Sequence, residues 1–348
     1  MCGIFGFIGK IPEQASDDAY LFLRHLFIQS KDRGTHASGF ATVHGDSPLI
    51  IEKRAIPADN FVFACSRFKA LKEKMPSVFI GHTRHATTGT QSRGRNNHPF
   101  NSPRYTMVHN GHIDDWDKLA KSRPIKMRSE TDSEVIIRLL DEKHTMATGV
   151  QHVVNTVDKD SKIAIAVIEH QNKDNRKLFL FRKDNPISVL TVPAWRAIFF
   201  ASTQGIIENA MKGAFGLPFW QSKKEALKMD VAEIPTWNLL EFSIDGNTPH
   251  LSARYMIDEK KSTFTTSSPI ISSTNPPMLP ALPGKVPDNR KSGGLIDTTD
   301  LSPATKTELD TFNKSALEVS QIMNAVSSEP FMTLREVEHW REWLKAKY

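Results

Sequence analysis

Cysteine is nearly missing from this chain of 348 residues: only Cys2 and Cys65 are present. Two cysteines 63 positions apart give no disulfide framework, and a reducing cytoplasm is the expected setting. Long apolar runs are also missing, and none approaches the roughly 20 residues that span a bilayer. No basic n-region followed by an apolar h-region opens the chain, so a secretory signal is not expected. There is no internal repeat, no glycine-rich phosphate loop and no cysteine–histidine spacing of a metal site. No cofactor is therefore expected. The net charge of +6 is modest and spread along the chain, so neither a nucleic acid nor a membrane surface is indicated as a partner. Charged residues make up 24% and hydrophobic residues 39%, the balance of a globular chain that buries a core.

From Cys2 to about Gly246, strand-like and helix-like segments alternate. Strands are expected over Cys2–Gly9, Val78–His85, Tyr105–His109, Lys162–Glu169, Lys177–Lys183, Ile187–Val192, Ala197–Ala201 and Leu239–Ile244. Ser38–His44 and Ser47–Arg54 read as a hairpin turning at Gly45-Asp46. Helices are expected over Ser16–Lys31, with Leu21, Leu23, Leu26 and Phe27 apolar, over Asn60–Met75 around Cys65, over Glu134–Lys143 and over Gln204–Lys212. Thr131-Asp132-Ser133-Glu134 fits a capping box. The mixture implies sheets covered by helices rather than a simple βαβ repeat. Composition shifts after about Lys261. Residues 261–303 are rich in Ser, Thr and Pro and read as a flexible linker. Residues 304–348 carry two amphipathic helices. Leu309, Phe312, Ala316, Val319, Met323 and Val326 mark the first, and Val337, Trp340, Trp343 and Leu344 the second. They either dock back on the main domain or hold a partner, and they offer a route to oligomers.

Cys2 directly follows Met1. If Met1 is removed, a thiol and a free α-amine belong to one residue, and an amine with a pKa of about 7.7–8.0 can activate its own side chain. Four downstream segments bear on this: Arg33-Gly34-Thr35-His36, Gly81-His82-Thr83-Arg84-His85-Ala86-Thr87-Thr88-Gly89, His109-Asn110-Gly111-His112, and Ser129-Glu130-Thr131-Asp132-Ser133-Glu134. Arg84, leaving a buried strand, can bind a carboxylate bidentately or serve as an ion-pair partner. Asn110-Gly111 can place a side-chain amide and a backbone N–H together as an oxyanion hole, or simply make a turn. Asp132 can hold an ammonium group or complement a helix dipole. Taken together, these residues suit a free amino acid held by both charged ends beside a thiolate.

In this order the segments resemble the class II glutamine amidotransferase domain, an N-terminal-nucleophile hydrolase found in glucosamine phosphate synthase, the purine-pathway phosphoribosyl amidotransferase, glutamate synthase and asparagine synthetase. The start Met1-Cys2-Gly3-Ile4-Phe5-Gly6, the stretch Gly81–Gly89, Asn97-His98-Pro99, His109-Asn110-Gly111 and Thr131-Asp132-Ser133-Glu134-Val135 carry the likeness, which extends over about Cys2–Gly246. It implies an α+β fold, a four-layer αββα sandwich spanning 2–260, followed by the linker and C-terminal helices. It implies Cys2 as nucleophile and its α-amine as base. Asn110 and Gly111 would form the oxyanion hole, Arg84 would bind the α-carboxylate of L-glutamine, and Asp132 its α-amine. Thr87 would stand beside the carboxylate, and Arg33 would order the loop near the nucleophile. The chain departs from the family at His36, often Asp, at His85, usually Trp, and at Thr88, often His. These departures bear on the glutamine loop and on communication with an acceptor site. No synthase signature follows Gly246, so the ammonia acceptor is expected on a separate polypeptide. The alternatives are a catalytically weak amidotransferase-like binding subunit and a hydrolase of another amide.

Overall fold

The computed structural model describes residues 2–45, 47–123, 125–170, 176–216 and 219–258. The expected linker and the two C-terminal helices lie outside the described residues. The first part of the chain forms β1 (Gly3–Gly9), α1 (Glu13–Ser30), β2 (Ala37–Val43), β3 (Ile50–Arg54), α2 (Ala58–Ala64), α3 (Ser66–Lys69) and β4 (Val78–Arg84). The middle forms β5 (Phe100–Asn101), β6 (Tyr105–His112), α4 (Trp116–Ser122), α5 (Ser133–Asp141), α6 (Met146–Thr156), β7 (Lys162–Glu169) and β8 (Lys177–Arg182). Then come β9 (Ser188–Val192), β10 (Ala197–Ala201), α7 (Gln204–Phe215), α8 (Trp220–Ala226), β11 (Asp230–Glu233), β12 (Asn238–Asp245) and β13 (Thr248–Met256).

Two antiparallel sheets result, one ordered β11-β9-β10-β1-β4-β2-β3 and the other β13-β12-β8-β7-β6-β5. Alternation along each strand divides its side chains between two cores. Phe5 and Phe7 of β1 join Phe79, Phe199 and the buried face of α1 in one core. Ile4 and Ile8, on the other face, meet Val108, Ala164, Ala166, Leu178 and Leu180 of the second sheet. Tyr105, Met107, Ile163, Ile165, Phe179 and Phe181 face a third core with α5 and α6. Three cores between four layers make the expected αββα sandwich. Both sheets are buried on both faces, which explains why so many strands read as continuous apolar runs.

The boundaries differ from expectation where local chemistry wins. Helix α1 starts at Glu13, a turn before Ser16, because Pro12 holds the N-cap position and has no N–H to leave unpaired. Its buried stripe is Ala19, Phe22, Leu23, Leu26 and Phe27, so Phe22 rather than Leu21 faces the core. The helix expected over Asn60–Met75 breaks at Cys65, whose backbone is extended (φ −89°, ψ 104°). The break lets Phe61 and Phe68 both reach Phe27, at ring separations of 5.2 and 5.5 Å. Cys65 is fully buried there as a small apolar residue. The capping box at Thr131–Glu134 does not form: Asp132 makes no cap bond, and the Glu134 carboxylate accepts the Arg128 and Ser129 N–H groups. A reciprocal box does occur at Thr145 and Thr148, before α6. The hairpin β12–β13 continues past Gly246, through a strand whose Pro249 is tolerated because β13 is a sheet edge.

Candidate active site

Strands β1 and β4 are antiparallel with Gly3 opposite Thr83, so Cys2 and Arg84 are neighbours at one sheet end. The turn after α1 brings in Arg33, whose Nε donates to the Cys2 carbonyl at 2.8 Å. From the other sheet comes Asn110. With its amide oriented to satisfy its surroundings, the nitrogen donates to the same carbonyl (2.9 Å) and the oxygen accepts from Arg33 Nη2 (3.3 Å). Arg33 and Asn110 therefore fix the backbone of Cys2 from two sides. The Cys2 thiol donates to the His85 carbonyl at 3.6 Å, the wide separation normal for sulfur. Burial pushes this thiol above its ordinary pKa; the backbone at His85 and the charge on Arg84 oppose the shift, and Asp132 adds to it.

Arg84 is 4% exposed. Its Nη1 donates to Asn97 Oδ1 at 2.8 Å, and its Nη2 donates to the Gly89 carbonyl at 2.9 Å and to the Thr88 carbonyl. Of five guanidinium N–H donors, three are thereby used, and Nε with one Nη1 hydrogen remains for a ligand. Asp132 Oδ2 accepts the Ile113 N–H at 2.8 Å and its Oδ1 accepts the Thr88 hydroxyl at 3.4 Å. Thr88 thus joins the loop after β4 to both charged residues. Thr87, chosen from the sequence, is exposed, and Thr88 occupies the bridging position. A reciprocal pair holds the far end of the loop: Asn96 Nδ2 donates to Glu130 Oε2 (3.1 Å) and the Glu130 N–H to Asn96 Oδ1 (3.0 Å).

Gly111 follows Asn110 in β6, opposite Ile163. A Cβ there would fall 1.8 Å from the Lys162 carbonyl oxygen, so the close approach of β6 and β7 requires glycine. Asn185 Nδ2 donates to the Asn110 carbonyl at 2.9 Å, a contact the sequence did not signal. His36, a departure from the family pattern, accepts the Ala86 N–H on Nδ1 (2.8 Å) and stacks on His85 with ring centroids 5.0 Å apart. Beneath Arg84 lie His82, His98 and His109, all buried, with His82 and His98 stacked at 3.9 Å. Burial holds His82 at a pKa of about 3 and pushes His98 and His109 down as well. Among the described residues no group of His, Cys, Asp and Glu is arranged to hold a metal ion, and no helix is long and apolar enough to cross a membrane.

No family model matches the chain. It is similar to glutamine–fructose-6-phosphate aminotransferase (isomerizing) of Bacillus licheniformis, 28% identical over 204 residues, covering 54% of this chain and 30% of that protein. The enzyme of the same name from Pyrococcus horikoshii is 30% identical over 194 residues, with the same coverage. The chain thus spans under a third of the length of these curated relatives. Among solved structures it resembles the glutamine phosphoribosylpyrophosphate amidotransferase of B. subtilis, with a TM-score of 0.51 and 16% identity, covering 74% of this chain and 49% of that one. The allosteric regulatory enzyme of purine biosynthesis also superposes, with a TM-score of 0.51 and 17% identity over 72% of this chain and 49% of that one. The chain is thus similar to glutamine amidotransferases in sequence over 54% of its length and in fold over 74%.

Proposed function

We propose that the chain hydrolyses L-glutamine to L-glutamate and ammonia with Cys2 as the nucleophile. The observation that carries this reading is convergence. Cys2 ahead of β1 and Asn110 of β6 are joined through Arg33, Arg84 of β4 and Asp132 ahead of α5 are joined through Thr88, and the charges of Arg84 and Asp132 act on the Cys2 thiol. The glutamine amidotransferase relatives support the choice of amide.

Once Met1 is removed, the α-amine of Cys2 takes the thiol proton, and the sulfur attacks the side-chain carboxamide carbon of glutamine. The carbonyl electron pair moves onto oxygen, where Asn110 and Gly111 stabilise it. As the intermediate collapses, the C–N bond breaks and the α-ammonium returns its proton to the departing nitrogen, which leaves as ammonia. Water attacks the thioester, the thiolate is expelled, and glutamate is released. Arg84 takes the substrate α-carboxylate through a remaining N–H donor and its charge. Asp132 takes the α-ammonium, since each of its oxygens keeps a lone pair beyond the bonds to Ile113 and Thr88. Arg33 keeps the Cys2 carbonyl in place throughout.

The domain is 2–260, the ammonia passes to a separate synthase in a reducing cytoplasm, and the C-terminal helices hold that partner. Capture of the synthase by the full chain, and its loss from a chain ending after Asp258, tests the last point; the cut must follow β13, because one at Gly246 would remove a strand. The hydrolysis itself is tested by ammonia release from glutamine, asparagine and a glutamine amide lacking the α-carboxylate. Glutamine alone is consumed, and Cys2→Ala, with an unchanged melting temperature, consumes none. Equal turnover of all three amides, or normal turnover by Cys2→Ala, overturns the reading.

A further inference from the structure

The hydrolysis leaves one half-buried amine without a task. Lys53 of β3 has no carboxylate partner among the described residues. Its Nζ donates instead to the carbonyls of Asn97 (2.8 Å) and Pro99 (3.0 Å), and it lies 5.4 Å from the Phe100 ring centroid.

Register explains the placement. Gly39 of β2 stands opposite Lys53 of β3 on one side and His82 of β4 on the other. Residues opposite one another in antiparallel strands share a face, so Lys53, Gly39 and His82 form a row facing the second sheet. The segment 97–99 crosses that row. Lys53 grips the first and last of its carbonyls. Gly39 leaves room for the middle one, since a Cβ there would fall 2.3 Å from the His98 oxygen. His82 stacks on the His98 ring. That ring makes no hydrogen bond through either nitrogen, so Lys53 supplies the side-chain hydrogen bonds that tie this segment to the row. The segment matters because Asn97, with its Nδ2 on the Gln91 carbonyl (2.7 Å), presents Oδ1 to Arg84 Nη1 (2.8 Å).

We infer that Lys53 is a positioning residue for Arg84: by holding the Asn97 and Pro99 carbonyls it sets Asn97 Oδ1 where that atom orients the guanidinium toward a substrate carboxylate. The inference rests on the proposed role of Arg84 in glutamine binding. Burial lowers the Lys53 pKa to about 8, against the pull of Glu134 on α5, so the charged grip weakens across the mildly alkaline range. His98, in the segment that Lys53 holds, is in turn acted on by Lys53, by Arg84 of β4 and by the buried His82 and His109.

The test is saturation kinetics of glutamine hydrolysis by the full chain between about pH 6.5 and 9.5, for the native protein, Lys53→Arg and Lys53→Met. In the native protein KM rises about tenfold across this range, while the pH profile of kcat, set by the α-amine of Cys2, is the same in all three proteins. Lys53→Arg, whose guanidinium stays charged and can reach the same carbonyls, loses most of that rise. Lys53→Met has the elevated KM at every pH, with a melting temperature at neutral pH no lower than native. If the Lys53→Met KM matches native at neutral pH, or Lys53→Arg keeps the full alkaline rise, the inference is wrong while the hydrolase reading stands. A native protein that does not turn over glutamine removes both.

Discussion

Thr88 gives its hydroxyl to Asp132 at 3.4 Å while its own carbonyl accepts from Arg84. One loop residue therefore ties together the two side chains proposed to hold the charged ends of glutamine. Thr88→Val removes the first bond and keeps the volume. Because the bond is long, the expected result is a rise in KM of about fivefold with kcat nearly unchanged, measured by steady-state ammonia release. A kcat loss with unchanged KM would place Thr88 in the chemistry instead.

That bridge also shows how far the sequence could be read. Cys2, Arg84, Asn110 and Gly111 could be picked out as candidates because each sits at or in a strand whose apolar pattern is strong, and strand ends carry side chains to a sheet edge. Thr88 could not be, because the loop after β4 has no periodicity. Its path is set by Arg84 drawing in the Thr88 and Gly89 carbonyls and by the Asn96–Glu130 pair. Asp132 could be picked out as a candidate, but the capping box expected from Thr131 to Glu134 does not form, because the Glu134 carboxylate accepts the Arg128 and Ser129 N–H groups instead. The strand β13 was missed because Pro249 argues against a strand interior and only an edge position permits it. The bend at Cys65 follows from aromatic packing around Phe27, which no local pattern announces.

Asn110→Ala removes a proposed oxyanion donor and the contact with the Cys2 carbonyl. A fall in kcat of about 100- to 1,000-fold, with the fold retained by circular dichroism, is expected. A change confined to KM would move Asn110 out of the oxyanion hole.

Gly111→Ala tests the close approach of β6 and β7. With a Cβ 1.8 Å from the Lys162 oxygen, the strands must separate. Urea unfolding is expected to show a loss of about 3 kcal/mol or more. A loss below about 1 kcal/mol would mean the ladder relaxes freely at this point.

The buried histidines set the acid limit of stability. His82 keeps a folded pKa of about 3 against an ordinary 6.5, so below pH 6.5 the unfolded chain binds a proton that the folded chain refuses. Stability is then complete above pH 6.5 and falls by about 1.4 kcal/mol per pH unit for each such histidine as the pH drops toward the folded value. Urea midpoints at a series of pH values for the native chain and for His82→Gln measure the slope. A shallower acid slope in the variant is expected, and identical slopes would exclude His82 as a contributor.

The central claim is that Cys2 acts as an N-terminal residue. Two forms of the full chain, one with Met1 removed and one with Met1 held in place by an added N-terminal residue, are compared by intact mass and by glutamate and ammonia release from glutamine. The form beginning at Cys2 releases both products in equal amounts, and the form retaining Met1 releases neither. Equal activity of the two forms would contradict the account, because the α-amine could not then be the base.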